Sequence, residues 1–143
     1  MTLCLEPLAP AETNFINTAA EGIEFVKPFN SPAFKIILDV KAMCSESKPI
    51  PQIIRESWPH FAHVHANDKN MKGPGFGDVD FKPIAATLKE LGYAGFVSVE
   101  VFKFEEGPDV IAGNSLEYLQ RTFARLRLRP EARTALGARN STR

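Results

Sequence analysis

The chain has 143 residues, with 17 basic side chains against 17 acidic ones, and 44% of its residues are hydrophobic. That is the make-up of one ordinary soluble domain, and the lack of a basic surplus argues against a nucleic-acid binder. Two cysteines, Cys4 and Cys44, are too few for a disulfide framework, and no apolar run approaches the ~20 residues that span a membrane.

The opening "MTLCLEPLAP" has no basic segment and meets an acid and two prolines. It does not read as a signal peptide, and a cytoplasmic protein is expected. Within it "TLCLE" (2–6) predicts the first strand. In "ETNFINTAAEGIEFVKPF", Phe15, Ile16, Ala19, Ala20, Ile23 and Val26 recur at helical spacing. "FKIILDV" (34–40) predicts a second strand, and "IPQIIRESWP" a helix carrying Ile53, Ile54 and Trp58 between Pro51 and Pro59. "FAHVHA" (61–66) is the third predicted strand. "DFKPIAATLKELG" offers Asp80 as N-cap, Ile84, Leu88 and Leu91 inside, and Gly92 as C-cap. "FVSVEVF" (96–102) predicts the fourth strand, and "NSLEYLQRTFARLRL" places Leu116, Leu119, Phe123 and Leu126 on one helical stripe. The tail from residue 129 to 143 loses that stripe and is expected to be frayed or disordered.

Strands alternating with helices predict an α/β fold with a parallel sheet. Such sheets bind ligands at the carboxyl ends of their strands. Each predicted strand ends on a side chain able to bind a metal: Glu6, Asp39, His65 and Glu100. Taken singly, each reads as a strand-end charge facing solvent. Taken together, four in four consecutive strands read as one shared site, because charges among apolar residues need a partner. Three carboxylates and one imidazole suit Mn²⁺, Mg²⁺ or Co²⁺ better than a structural zinc. By strand alternation His63 lies one layer below His65, a hydrogen-bonded group rather than a ligand, and Cys4 lies below Glu6 as a packing residue. His60 precedes its strand and is expected at the surface.

The stretches "LEPL", "ETNFINTAAE", "ILDV", "HVHANDKN", "PGFGDVDF" and "LGYAGFVSVEVF" resemble the second half of the xylose isomerase-like TIM barrels. This sugar isomerase/epimerase group includes ketose 3-epimerases and hydroxypyruvate isomerases. The resemblance covers residues 3–123, and the ligand intervals of 33, 26 and 35 residues fit it. It implies that Glu6, Asp39, His65 and Glu100 bind one divalent metal, with Glu6 and Glu100 as the catalytic acid/base pair. It also implies that Glu12 contacts substrate hydroxyls. Two positions depart from the epimerase pattern: Ala42 stands where a histidine is usual, and Met71 where an arginine is usual. Both missing groups serve the substrate. Lys41 and Lys72 are the candidates to replace them, their other reading being solvated loop charges.

A complete (β/α)₈ barrel needs ~250 residues. Residues 1–128 are therefore expected to form a partial (β/α)₈ TIM barrel, four βα units corresponding to strands five to eight. Its open edges and inner face predict either a fragment of a longer chain or a homo-oligomer. The implied reaction is that of an isomerase: a proton moves next to the carbonyl of a sugar or sugar-derived substrate through an enediolate. A metal-dependent dehydratase of a cyclic polyol-type substrate and a degenerate, non-catalytic sugar- or partner-binding half remain as alternatives. An endonuclease of abasic DNA is disfavoured by three histidines and zero net charge.

Overall fold

The computed structural model describes residues 1–125, with side chains through Ala124. What was expected of residues 126–143, Leu126 and the tail included, lies outside the described residues. Four strands, β1 (Leu3–Leu5), β2 (Phe34–Asp39), β3 (Phe61–Ala66) and β4 (Phe96–Val99), form one sheet in sequential order. Every neighbouring pair is parallel. The helices are α1 (Ala19–Val26), α2 (Val40–Met43), α3 (Ile50–Ser57), α4 (Phe81–Glu90) and α5 (Pro108–Arg125). This is the expected α/β fold, with four βα units in a row.

One face of the sheet is covered and the other is not. Ile36, Leu38, Val64 and Ala66 are fully buried against Ala19 and Val26 of α1, Ile53 and Ile54 of α3, Phe81, Ile84 and Leu88 of α4, and Leu119 of α5. Leu5, Val97 and Val99 pack against the same core. Because side chains alternate along a strand, the opposite face carries Cys4 and Glu6, Ile37 and Asp39, His63 and His65, and Ser98 and Glu100. The register sets Asp39 beside His65 and His65 beside Ser98, which lines up the strand-end groups on that face.

Five local expectations change. Phe15 and Ile16 are not helical: α1 starts after Thr18, whose hydroxyl accepts from Glu21 N, while the Glu21 carboxylate accepts from Thr18 N. That reciprocal cap is a stronger start signal than the apolar spacing upstream. Asn17 pins the preceding loop by donating to Leu8 O and Thr13 O, and Ile16 takes a left-handed φ of 56° there. Second, a short helix, α2, follows β2 where the sequence pattern predicts none; Asp39 caps it by accepting from Ala42 N at 2.7 Å. Third, Trp58 is the C-cap of α3 and 40% exposed rather than part of its buried stripe. Fourth, α5 begins at Pro108, and its buried line is Ile111, Ser115, Leu119 and Thr122, with Leu116 54% exposed. Fifth, His60, expected at the surface, is half-buried; its N–H donates to Ser57 O and its carbonyl accepts from Ile36 N. Among the described residues no helix is long and apolar enough to cross a membrane.

Candidate metal centre

β1, β2, β3 and β4 each deliver one side chain to the same point. Glu6 follows β1, Asp39 ends β2, His65 lies one residue from the end of β3, and Glu100 follows β4. One ligand atom from each lies within 4.8 Å of all the others. His65 Nδ1 is the centre of the group, 3.0 Å from Glu6 Oε1, 3.4 Å from Glu100 Oε2 and 3.8 Å from Asp39 Oδ2. The first and last strands of the row thus reach one imidazole, which requires the sheet to curl as in a barrel wall.

The carboxylates differ in their surroundings. Asp39 is 2% exposed and both its oxygens are engaged: Oδ1 accepts from Ala42 N, and Oδ2 accepts from Asn67 Nδ2 at 2.6 Å. Glu100 Oε2 accepts from the same amide nitrogen at 3.2 Å. Burial pushes the Glu100 carboxyl above the usual range, opposed by His65 and reinforced by Glu6 and Asp39. Three acids crowded on one imidazole repel one another, and a divalent cation offsets that repulsion. The donor set fits a hard or borderline ion such as Mn²⁺, Mg²⁺ or Co²⁺.

His63 stacks edge-on beneath His65, with ring centroids 5.1 Å apart. Burial and the His65 charge hold its pKa below the usual histidine value, against Glu6. Cys4 sits below Glu6 by strand alternation, and burial pushes its thiol up. Both cysteines are free thiols.

The expected substrate-binding residues form two ion pairs. Lys41 Nζ donates to Glu12 Oε1 at 2.5 Å and lies 4.1 Å from the centroid of the Phe102 ring. The Lys41 side chain is 10% exposed, so this is a partly desolvated pair and not a solvated loop charge. Lys72 instead pairs with Glu106 and lies 3.8 Å from Glu105, joining the loop after β3 to the loop after β4. Met71, in the place of the usual arginine, has a left-handed φ of 71° and uses its carbonyl to accept from Phe102 N and Lys103 N. Its side chain is 40% exposed.

Two buried loop residues were missed from the sequence. Asn67 and Asp68 are both 0% exposed. Asp68 Oδ2 accepts from Val79 N, and a Cβ at Gly77 would collide with the Asp68 and Asn70 side chains, so the close approach at Gly77 admits only glycine. The signal for both was their place two and three residues after the candidate ligand His65 in "HAND".

With this geometry in hand, likeness to known proteins becomes informative. The profile of the Xylose isomerase-like TIM barrel family matches residues 1–122. D-psicose 3-epimerase of Ruminiclostridium cellulolyticum is 37% identical over 99 residues, covering 69% of this chain and 34% of that protein. D-psicose 3-epimerase of Agrobacterium fabrum is 34% identical over 102 residues, covering 71% of this chain and 35% of that protein. The crystal structure of a D-psicose 3-epimerase in the presence of D-fructose superposes with a TM-score of 0.78 at 29% identity, over 86% of this chain and 50% of that one. The apo structure of the 3-keto-D-glucoside 4-epimerase from E. coli gives 0.78 at 27% identity, over 85% and 46%. The chain thus spans between a third and a half of the length of these relatives. A profile match over most of the described residues, together with a curled parallel sheet that gathers its strand ends, establishes that this chain belongs to the xylose isomerase-like TIM barrel family.

Proposed function

We propose that this chain carries the metal-binding and proton-transfer half of a divalent-metal-dependent sugar isomerase or epimerase. The single observation behind the reading is the gathering of Glu6, Asp39, His65 and Glu100 within 4.8 Å at the carboxyl ends of four parallel strands. Likeness to D-psicose 3-epimerases supports a ketose or ketose-like substrate. When bound by these four residues, one Mn²⁺, Mg²⁺ or Co²⁺ ion supplies positive charge beside the substrate oxygens as a neighbouring C–H proton leaves. Glu6 and Glu100, from the two outermost strands, act as the base/acid pair. One takes the proton, and the other returns one to the opposite face to invert the carbon, or to the adjacent carbon to exchange aldose and ketose. Asp39, hydrogen-bonded through both oxygens, serves as a fixed ligand. Glu12 and Lys41 contact substrate hydroxyls as a pair, and Lys72 orders the loops at the rim. The free thiols of Cys4 and Cys44 support a reducing, cytoplasmic setting.

The open sheet edges support a homo-oligomer or the rest of a barrel as the partner that completes the pocket. Ala42 and Met71 favour a second reading, a half that binds sugar without turning it over. The two readings separate in D₂O. With Mn²⁺ and a panel of ketoses, in an assembly that closes the pocket, the product is expected to carry deuterium at the reacting carbon. Glu6→Gln or Glu100→Gln is expected to lower turnover ~10²–10⁴-fold, the usual contribution of a general acid or base. Turnover without deuterium, or full activity in either variant, would overturn the acid/base assignment. Sugar binding without turnover would establish the non-catalytic reading.

A further inference from the structure

Asn67 is fully buried, and each of its hydrogen bonds goes to the machinery around the four strand ends. Its Nδ2 donates to Asp39 Oδ2 at 2.6 Å and to Glu100 Oε2 at 3.2 Å. Its Oδ1 accepts from Lys41 N at 2.7 Å. The orientation of the amide follows from chemistry. Turned over, its oxygen would face two carboxylates and its NH₂ would face a backbone N–H, so neither end would have a partner. The amide thus uses both hydrogens to join two acids that otherwise repel. The same side chain fixes the start of α2, where Asp39 takes the N–H of Ala42 and Asn67 takes the N–H of Lys41. That sets where Lys41 leaves the backbone to reach Glu12.

We propose that Asn67 is a positioning residue for the metal centre: it holds one oxygen each of Asp39 and Glu100 at ligand spacing while orienting the backbone that carries Lys41. The inference rests on the metal-binding reading above and extends it to a residue that touches no metal. An acid at this position would add a further negative charge to the cluster, and an apolar side chain would leave the two carboxylates unrestrained. Asparagine alone among residues of its size offers two donors on one side and an acceptor on the other.

The test is Mn²⁺ titration calorimetry on the full chain, wild type against Asn67→Leu, which keeps the buried volume, and Asn67→Ser, a smaller polar side chain that carries the test if the leucine variant does not fold. Thermal unfolding of each metal-free protein is recorded alongside. Loss of such a supporting contact typically weakens metal affinity 10–100-fold, and that loss is expected in the folded variants. A Co²⁺-loaded sample should also show a changed visible spectrum, since the donor oxygens are no longer held. Variants that melt earlier but bind Mn²⁺ with wild-type affinity and give the wild-type Co²⁺ spectrum would overturn the inference and leave the metal centre standing. A wild-type chain that binds no Mn²⁺ would overturn the metal centre, and this inference with it.

Discussion

Lys41 shows how one residue takes its meaning from its surroundings. In sequence it is an ordinary loop lysine; in the structure it lies against the Phe102 ring and donates to Glu12. A hydrogen bond to a charged group contributes about 1.5–3 kcal/mol. If Glu12 and Lys41 bind the substrate as proposed, Lys41→Met is expected to raise KM for the sugar about tenfold to hundredfold, with a smaller effect on kcat. An unchanged KM would remove Lys41 from the substrate site. The four strand-end side chains were legible at this scale because each charge interrupts or closes an apolar run at the carboxyl end of a strand. Asn67 was not legible, because the burial of a loop residue is decided by what folds over it, here Lys41 at the start of α2 and Glu100 after β4.

At the scale of elements, the strands were legible as short apolar runs, and Asp80 caps α4 as expected; the C-cap is Leu91 rather than Gly92, which follows it with a left-handed φ of 67°. The four-residue α2 left no periodicity to read, and only its capping Asp39 announces it. The turn after α4 gives a pH prediction. The single Tyr93 hydroxyl proton is shared between Ala62 O of β3 at 3.1 Å and Phe96 O of β4 at 2.9 Å, bridging the two strands at their amino ends. Burial, with a smaller push from Cys4, moves its hydroxyl up to about 12 from the ordinary value of about 10. The folded state therefore favours neutral tyrosine. Its contribution is fully present below the unfolded value and is lost as pH rises from about 10 towards 12. Ultraviolet titration of tyrosinate, against Tyr93→Phe, should show the late-titrating group missing in the variant. A wild-type chain with no such late component would contradict this reading of Tyr93.

For the whole molecule, the covered face of the sheet is complete and its edges are not. Leu3 of β1 and Phe96 of β4, on the two edge strands, are 67% and 79% exposed, and Phe15, Phe29, Phe102, Phe104 and Leu116 are each at least 45% exposed elsewhere. Exposed apolar groups on the edge strands of an open parallel sheet are surfaces that the next βα units of a barrel would cover. Purified alone, the chain is expected to scatter light as dimers or larger species, and a monodisperse monomer that unfolds cooperatively would contradict the proposal of a partner at these edges. The partial barrel was legible in the sequence because four strand–helix units fill the chain; which surfaces stay bare was not, since Leu116 reads as a core position by spacing. Mn²⁺ titration calorimetry decides whether the four strand ends make one divalent-metal site. One ion is expected to bind per chain, with binding abolished or greatly weakened in both His65→Ala and Asp39→Asn. Wild-type stoichiometry and affinity in those two variants would contradict it.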